Sequence, residues 1–174
     1  MAETMASDAT ETAHISAGLK AALRRMPGAI ALITTLDPST DRPAGLAASA
    51  VIPVSMDPPS MLISINRSAS AHSAIERAGK FCVNLLGTEQ TALVGLFSSS
   101  EMRDQRFAGS EWLRSGGLPY LSGACANIFC TVTTTLVFGT HELFVGEVFD
   151  VVGGSQGADP LGWIEGRFAR LGPL

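Results

Sequence analysis

The stretch Asn66-Arg67-Ser68-Ala69-Ser70-Ala71-His72-Ser73-Ala74-Ile75-Glu76-Arg77-Ala78-Gly79-Lys80-Phe81-Cys82-Val83-Asn84-Leu85-Leu86 decides how this chain folds. Phe81 to Leu86 reads as a buried strand. Ala69 to Ala78 reads as a short helix, ended by Gly79 in the left-handed position that favours glycine. An arginine and several hydroxyls stand just before that helix. A helix N-terminus carries unpaired N–H groups and partial positive charge, so the segment predicts an anion site on an α+β scaffold. A phosphate-bearing cofactor is the first expectation.

Upstream, Ser60 to Ile65 and Ala44 to Val54 read as a strand pair separated by Asp57-Pro58-Pro59, a linker that prolines keep out of a central ladder. Ala29 to Leu36 is an apolar, β-branched strand, closed by the turn cluster Asp37-Pro38-Ser39-Thr40-Asp41. Ser16 can cap a helix running to about Arg25, with Leu19, Leu23 and Met26 on one stripe, before Pro27-Gly28 ends it. Residues 1–14 read as a disordered lead-in and residues 15–174 as one domain. Downstream, Thr88 to Phe97 reads as a helix and Ser98 to Gly117 as a long irregular segment, a type that is often functional. Ala124 to Phe138, His141 to Val152 and Leu161 to Leu171 are strand-like. Strands joined mainly as antiparallel neighbours, with few short helices, predict a mainly β, closed or partly closed barrel with peripheral helices. A doubly wound dinucleotide domain would alternate strand and helix behind a glycine-rich turn. Gly153-Gly154 opens no helix and reads as a plain turn.

Composition narrows the function. Of 174 residues, 46% are hydrophobic and only 16% charged, which calls for a dimer interface or a cofactor slot to cover apolar surface. No apolar run reaches the length of a membrane span. A net charge of −4 argues against nucleic acid as partner. Cys82, Cys125 and Cys130 lack CxxC spacing and read as buried free thiols of a cytoplasmic protein. His14, His72 and His141 have no metal-ligand spacing, and no metal is expected.

Five segments in this order carry a resemblance to a known family: Arg24-Arg25-Met26-Pro27-Gly28-Ala29; Gly45-Leu46-Ala47-Ala48-Ser49 running into Val54-Ser55-Met56-Asp57-Pro58-Pro59; Asn66 to His72; Gly79 to Leu86; and Gly139-Thr140-His141 to Gly146-Glu147-Val148. Asp104-Gln105-Arg106-Phe107 and Gly166-Arg167-Phe168 add to it. Across residues 19 to 171 the chain resembles the flavin reductase family of the FMN-binding split barrel, the reductase components of two-component flavin-dependent monooxygenases. The resemblance implies a homodimeric split β-barrel that binds FMN or FAD and reduces it with NADH or NADPH. Reduced flavin would then pass to a partner monooxygenase. Hydride transfer between stacked rings needs orientation more than an acid–base pair, so the lack of a triad or metal motif is compatible.

On that resemblance, Gly45, Ala47, Ala48, Ser49, Ala50 and Val51 form a strand edge whose backbone N–H groups meet the flavin ring, where close packing of small residues is the plainer alternative. Asn66, Arg67, Ser68 and Ser70 are the phosphate candidates; either serine could equally be a helix N-cap. His72 is a lower-ranked flavin contact. Ser64, Asn84 and Leu85 are assigned to the cofactor site, and His141 to the flavin–nicotinamide stack as an orienting residue. Arg106 is placed at the phosphate or adenylate end, with Arg167 and Phe168 closing the ring site; surface ion pairs are the alternative for both arginines. The chain departs from the family pattern at Ala47, Ala50, Val51, Pro53, Thr140 and Trp163. The Ala50 to Pro53 stretch and Thr140 motivate the alternative of a flavin-binding electron-transfer module without NAD(P)H turnover.

Overall fold

The computed structural model describes residues 2–153 and 157–173. Helix α1 covers Ala2–Leu23. It is followed by β1 (Gly28–Ala29), β2 (Ala31–Asp37), β3 (Arg42–Ala48), β4 (Val51–Met56) and β5 (Pro59–Asn66). Next come α2 (His72–Ala78), β6 (Lys80–Leu85), α3 (Thr91–Ser98), and the hairpin β7 (Trp112–Ser115)–β8 (Leu118–Leu121). The long strands β9 (Ala126–Phe138) and β10 (His141–Gly153), then β11 (Leu161–Ile164) and β12 (Arg167–Arg170), complete the chain.

Seven strands form one antiparallel sheet in the order β3-β2-β6-β9-β10-β5-β4. The long β9–β10 hairpin pairs β9 with β6 and β10 with β5, so it bridges the two halves of the split barrel. β3 and β4 are the two edges, and Pro53 sits in β4 where an edge tolerates its missing N–H. A smaller sheet, β1-β11-β12, lies beside them.

The core follows from β2, which is buried along nearly its whole length. Ala31 and Ile33 join Ile63, Ile65, Ile75, Phe81 and Phe144 inside the barrel, while Leu32 faces the other way onto Phe97, Leu121 and Leu161. Each of the buried Ile, Leu and Phe side chains contributes about 1.5–3 kcal/mol. A strand covered on both faces shows no polar alternation. Its threonines are satisfied locally, the Thr34 and Thr35 hydroxyls donating to the carbonyls of Pro119 (2.6 Å) and Lys80 (2.8 Å).

Several expectations are corrected. The disordered lead-in over 1–14 and a helix start at Ser16 give way to continuous helix from Ala2; Ala, Glu and Thr in this stretch include no breaker that would stop the helix from extending N-terminally. The single strand Ala44–Val54 divides at Ser49-Ala50, where the chain passes from one sheet edge to the other. Helix α2 starts at His72, later than Ala69, and ends at Gly79 with φ of 59° as expected. The segment Ser98–Gly117 is not wholly irregular: it holds a short turn of helix at Arg103–Gln105 and strand β7. Leu161–Leu171 is a hairpin turning at Glu165-Gly166. Gly153 closes β10, and Gly154 lies outside the described residues.

Candidate functional site

The site grows from the free edge of β3. Gly45 on this strand admits no side chain: a Cβ there would lie 2.7 Å from the Ile33 carbonyl oxygen and 3.0 Å from the Phe97 ring. That close approach lets α3 settle against β3. The Gly45 carbonyl points away from β2, because it accepts a 2.7 Å hydrogen bond from Arg106 Nη1. N–H and C=O groups alternate sides along an antiparallel strand. The N–H and C=O of Ala47 therefore leave by the same unpaired edge.

Arg106 ties the pieces together. Its Nη2 donates to the Ser99 carbonyl (2.6 Å), its Nε to the Leu96 carbonyl (3.3 Å), and its Nη1 also reaches Ser70 Oγ (3.4 Å). The guanidinium lies 5.7 Å from the Phe97 ring centroid, a cation–π contact. Arg106 is only 4% exposed, yet no ion pair among the described residues includes it. Burial, and then the positive charge of Arg103, push its pKa below the ordinary arginine value. Arginine nonetheless stays charged. A buried cation met only by carbonyls and a hydroxyl is an electrostatic invitation to an anion.

Two cavities open along this edge. The first, ≈ 360 Å³, is lined by Ser68, Ser70, Ser98, Ser100, Arg103 and Arg106. The second, ≈ 210 Å³, is lined by Ala47, Ala48, Ser49, Val94, Ser98 and Trp163. Ala47 and Ser98 belong to both, so the two form one trough: a basic, hydroxyl-rich end and a slot walled by small residues and an indole. These residues fit a flavin, with cations and hydroxyls for its phosphate and an open backbone edge for its ring.

The structure brings together Ala47, Ala48, Ser49, Ser68, Ser70 and Arg106 from the expected set, with Gly45 beside Arg106 in a small adjoining cavity and Ala50 lining the next one. Others do not line the trough. Asn84 is fully buried in a structural network, its Nδ2 donating to the Leu32 carbonyl and Thr34 Oγ1 and its Oδ1 accepting from the Leu121 N–H. Leu85 and Val51 pack against the barrel core, and Ser64 lies within β5. Asn66 shapes the loop, its Oδ1 accepting from the N–H and hydroxyl of Ser68. The Arg67 side chain is exposed and only its backbone N–H is engaged, by the Thr140 carbonyl.

His72 is buried against Glu142, with 2.7 Å between Nε2 and Oε2, and stacks edgewise on Phe144. It braces α2 against β10 and lines none of the cavities described. His141 is exposed at the β9–β10 turn, bonded through Nδ1 to Thr140 Oγ1 (2.9 Å), and lies outside the trough of this chain. Phe168 stands edge-on to Trp163 with ring centroids 5.3 Å apart, so it supports the slot through the indole; Arg167 is exposed beside it. The helix-terminus anion site is also revised. Helix α2 is one short segment with no side-chain cap, and the cradle is built instead from the serines before it and the arginines of the Ser98–Gly117 segment. Arg103, Ser98 and Ser100 were not singled out from sequence; a cation and two hydroxyls in a long polar segment were the only signal.

The flavin reductase like domain model matches residues 23–172. The chain belongs to this family. Among curated relatives, the FMN reductase (NADH) RutF of Pseudomonas syringae pv. syringae (strain B728a) is 38% identical over 152 residues, covering 86% of this chain and 83% of its own. Nitrilotriacetate monooxygenase component B from Mycobacterium thermoresistibile superposes with a TM-score of 0.84 at 27% identity, covering 93% of this chain and 89% of its own. The NADH:FAD oxidoreductase SgcE6 of Streptomyces globisporus C-1027 superposes with a TM-score of 0.78 at 25% identity, covering 89% of this chain and 86% of its own. The split barrel of the flavin reductases is thus the fold of this chain.

Proposed function

We propose that this flavin reductase family member transfers hydride from NADH to FMN and releases the reduced flavin to a separate flavin-dependent monooxygenase. The observation that carries the reading is the single trough along the open edge of β3, with the buried Arg106 cation at one end and the Ala47–Ser49 slot at the other. FMN and NADH are preferred over FAD and NADPH because the relatives that share most of this chain are named for them. The monooxygenase partner is supported by the component B neighbour.

When bound, the flavin supplies a two-electron acceptor for the hydride of a dihydronicotinamide. The chain supplies placement. Arg106, Arg103, Ser68 and Ser70 would hold the phosphate through charge-assisted hydrogen bonds. The outward N–H of Ala47 and the hydroxyl of Ser49 would donate to the ring, where they favour the negative charge that reduction brings. Trp163 and Val94 line the slot and would pack against the ring.

Mixing the purified chain anaerobically with FMN and NADH should bleach flavin absorbance catalytically. A comparison of FMN and FAD with NADH and NADPH should rank FMN–NADH first. Tightly retained flavin with no NADH or NADPH oxidation would overturn the reading in favour of the electron-transfer module.

Two further parts of the reading rest on surface chemistry. Ile52, Val54 and Met56 on β4, Leu136 to Phe138 at the β9–β10 turn, and Phe149 and Val151 on β10 are exposed apolar side chains. They support a homodimer that covers them, which sedimentation equilibrium would detect as twice the chain mass. The free thiols Cys82, Cys125 and Cys130 support a cytoplasmic setting, which fractionation of expressing cells would test. No helix among the described residues is long and apolar enough to cross a membrane.

A further inference from the structure

A third cavity, ≈ 550 Å³, adjoins the slot and shares no lining residue with the end of the trough that holds Arg106. It shares Ser49 and Trp163 with the slot and is otherwise walled by the end of α1 and the segment leading into β1, including Lys20, Arg24, Met26 and Gly28. We propose that this cavity receives the pyrophosphate of the dinucleotide hydride donor, with Lys20 and Arg24 as its charge partners. The inference rests on the reductase reading and adds the donor's binding residues to it.

The charges make the case. Lys20 is in the last turn of α1 and Arg24 directly follows it, its N–H donating to the Lys20 carbonyl (3.2 Å), so the helical turn carries on to Arg24 and the two cations stand on one side and repel each other mildly. No ion pair among the described residues relieves either cation. Arg24 is held in place rather than loose: its Nη2 donates to the Glu165 carbonyl (2.9 Å), and the Glu165 N–H returns a 2.6 Å bond to the Arg24 carbonyl. This exchange pins the end of α1 to the β11–β12 turn, the same hairpin that carries Trp163 into both cavities. The remaining guanidinium donors and the Lys20 ammonium are left for a ligand with two adjacent negative groups.

Topology selects the donor over the flavin as source of that pyrophosphate. On the reductase reading the flavin phosphate would rest on Ser68, Ser70 and Arg106, so an adenylate on FAD would extend past that end of the trough. A molecule lying beyond Ser49 and Trp163 meets the ring from the other end. Its reactive ring would reach the slot while its charged linker rests on Lys20 and Arg24.

ADP-ribose, which keeps the pyrophosphate and lacks the nicotinamide, is the direct probe, titrated by calorimetry into the full chain loaded with FMN. Lys20→Ala is the cleanest variant, because the Lys20 side chain is exposed and takes part in no side-chain hydrogen bond or ion pair among the described residues. Its Kd for ADP-ribose should rise on the order of tenfold, as one charge-assisted contact is lost. Lys20→Glu should raise it further, and Arg24→Lys should retain part of the affinity. In steady state, the KM for NADH should rise by a similar factor relative to the KM for a dihydronicotinamide without a pyrophosphate. An unchanged ADP-ribose Kd, no ADP-ribose binding by the wild type, or weakened FAD binding with ADP-ribose unaffected would overturn the proposal. Failure of the wild type to oxidise NADH would overturn the reductase reading instead, and the ADP-ribose titration would still decide the subsite.

Discussion

Two arginines bind this molecule together in opposite ways. Arg77, in the last turn of α2, meets Asp37 at the end of β2, with 2.7 Å between Nη2 and Oδ2 and a second contact from Nε. Asp37 also accepts the N–H and hydroxyl of Ser39, which closes the turn after β2. Arg106, on the other flank of the same sheet, is more deeply buried and has only carbonyls and a hydroxyl around it. The first corner is electrostatically complete and belongs to the fold. The second is satisfied in hydrogen bonds but not in charge, so it holds β3, α3 and the Ser68–Ser70 loop in place while leaving a field for an anion. A hydrogen-bond inventory alone would not separate them; the charge balance does.

The sharpest way to break the comparison is to remove the uncompensated cation. Arg106→Met should weaken FMN binding by roughly ten- to a hundredfold, the loss of a charge-assisted bond worth about 1.5–3 kcal/mol. It should also lower the melting temperature, because the Gly45, Leu96 and Ser99 carbonyls lose their donor. Inorganic phosphate should stabilise the wild type thermally and leave Arg106→Met unmoved. Equal stabilisation of both would show that the cation is purely structural.

The neighbouring hydroxyl sharpens the assignment. Ser70→Ala should raise the FMN Kd about tenfold, the lower end for a hydrogen bond to a charged group, and leave riboflavin binding unchanged, since riboflavin lacks the phosphate. Fluorescence titration of both flavins would read this directly.

At the compensated corner, only stability should respond. The hydrogen bond from Arg77, followed by those from Ser39, holds the Asp37 carboxyl well below the usual carboxylate range. A depressed carboxylate favours the folded state at pH above about 4, and that contribution fades as acid protonates the group. Wild type should therefore melt above Asp37→Asn at neutral pH, with the gap shrinking below about pH 4. FMN affinity should be the same in both. Arg67→Ala gives the smallest effect: its side chain is exposed and outside the trough, so the FMN Kd should shift less than about fivefold.

The sequence by itself determined the fold class and most of the core strands, though not every element boundary. Strands such as Phe81–Leu86, Ala29–Leu36 and the two long apolar runs after Ala124 are written in side-chain chemistry that acts locally, and Gly79 marks its helix end by a backbone conformation few other residues adopt. The small residues Ala47 to Ser49 and the hydroxyls Ser68 and Ser70 were legible as candidates because their order and spacing match a family, and the structure places them along one trough. Tertiary structure alone decided which of the candidates share a space. Asn84 and His72 carry groups as suitable for a ligand as those of Ser70, but neighbouring strands bury them against Leu32, Leu121 and Glu142. Arg106 became central for the reverse reason: folding withdraws it from water without providing a carboxylate. Charge compensation depends on residues distant in sequence, such as Arg77 on Asp37, and only packing brings them within reach or keeps them apart.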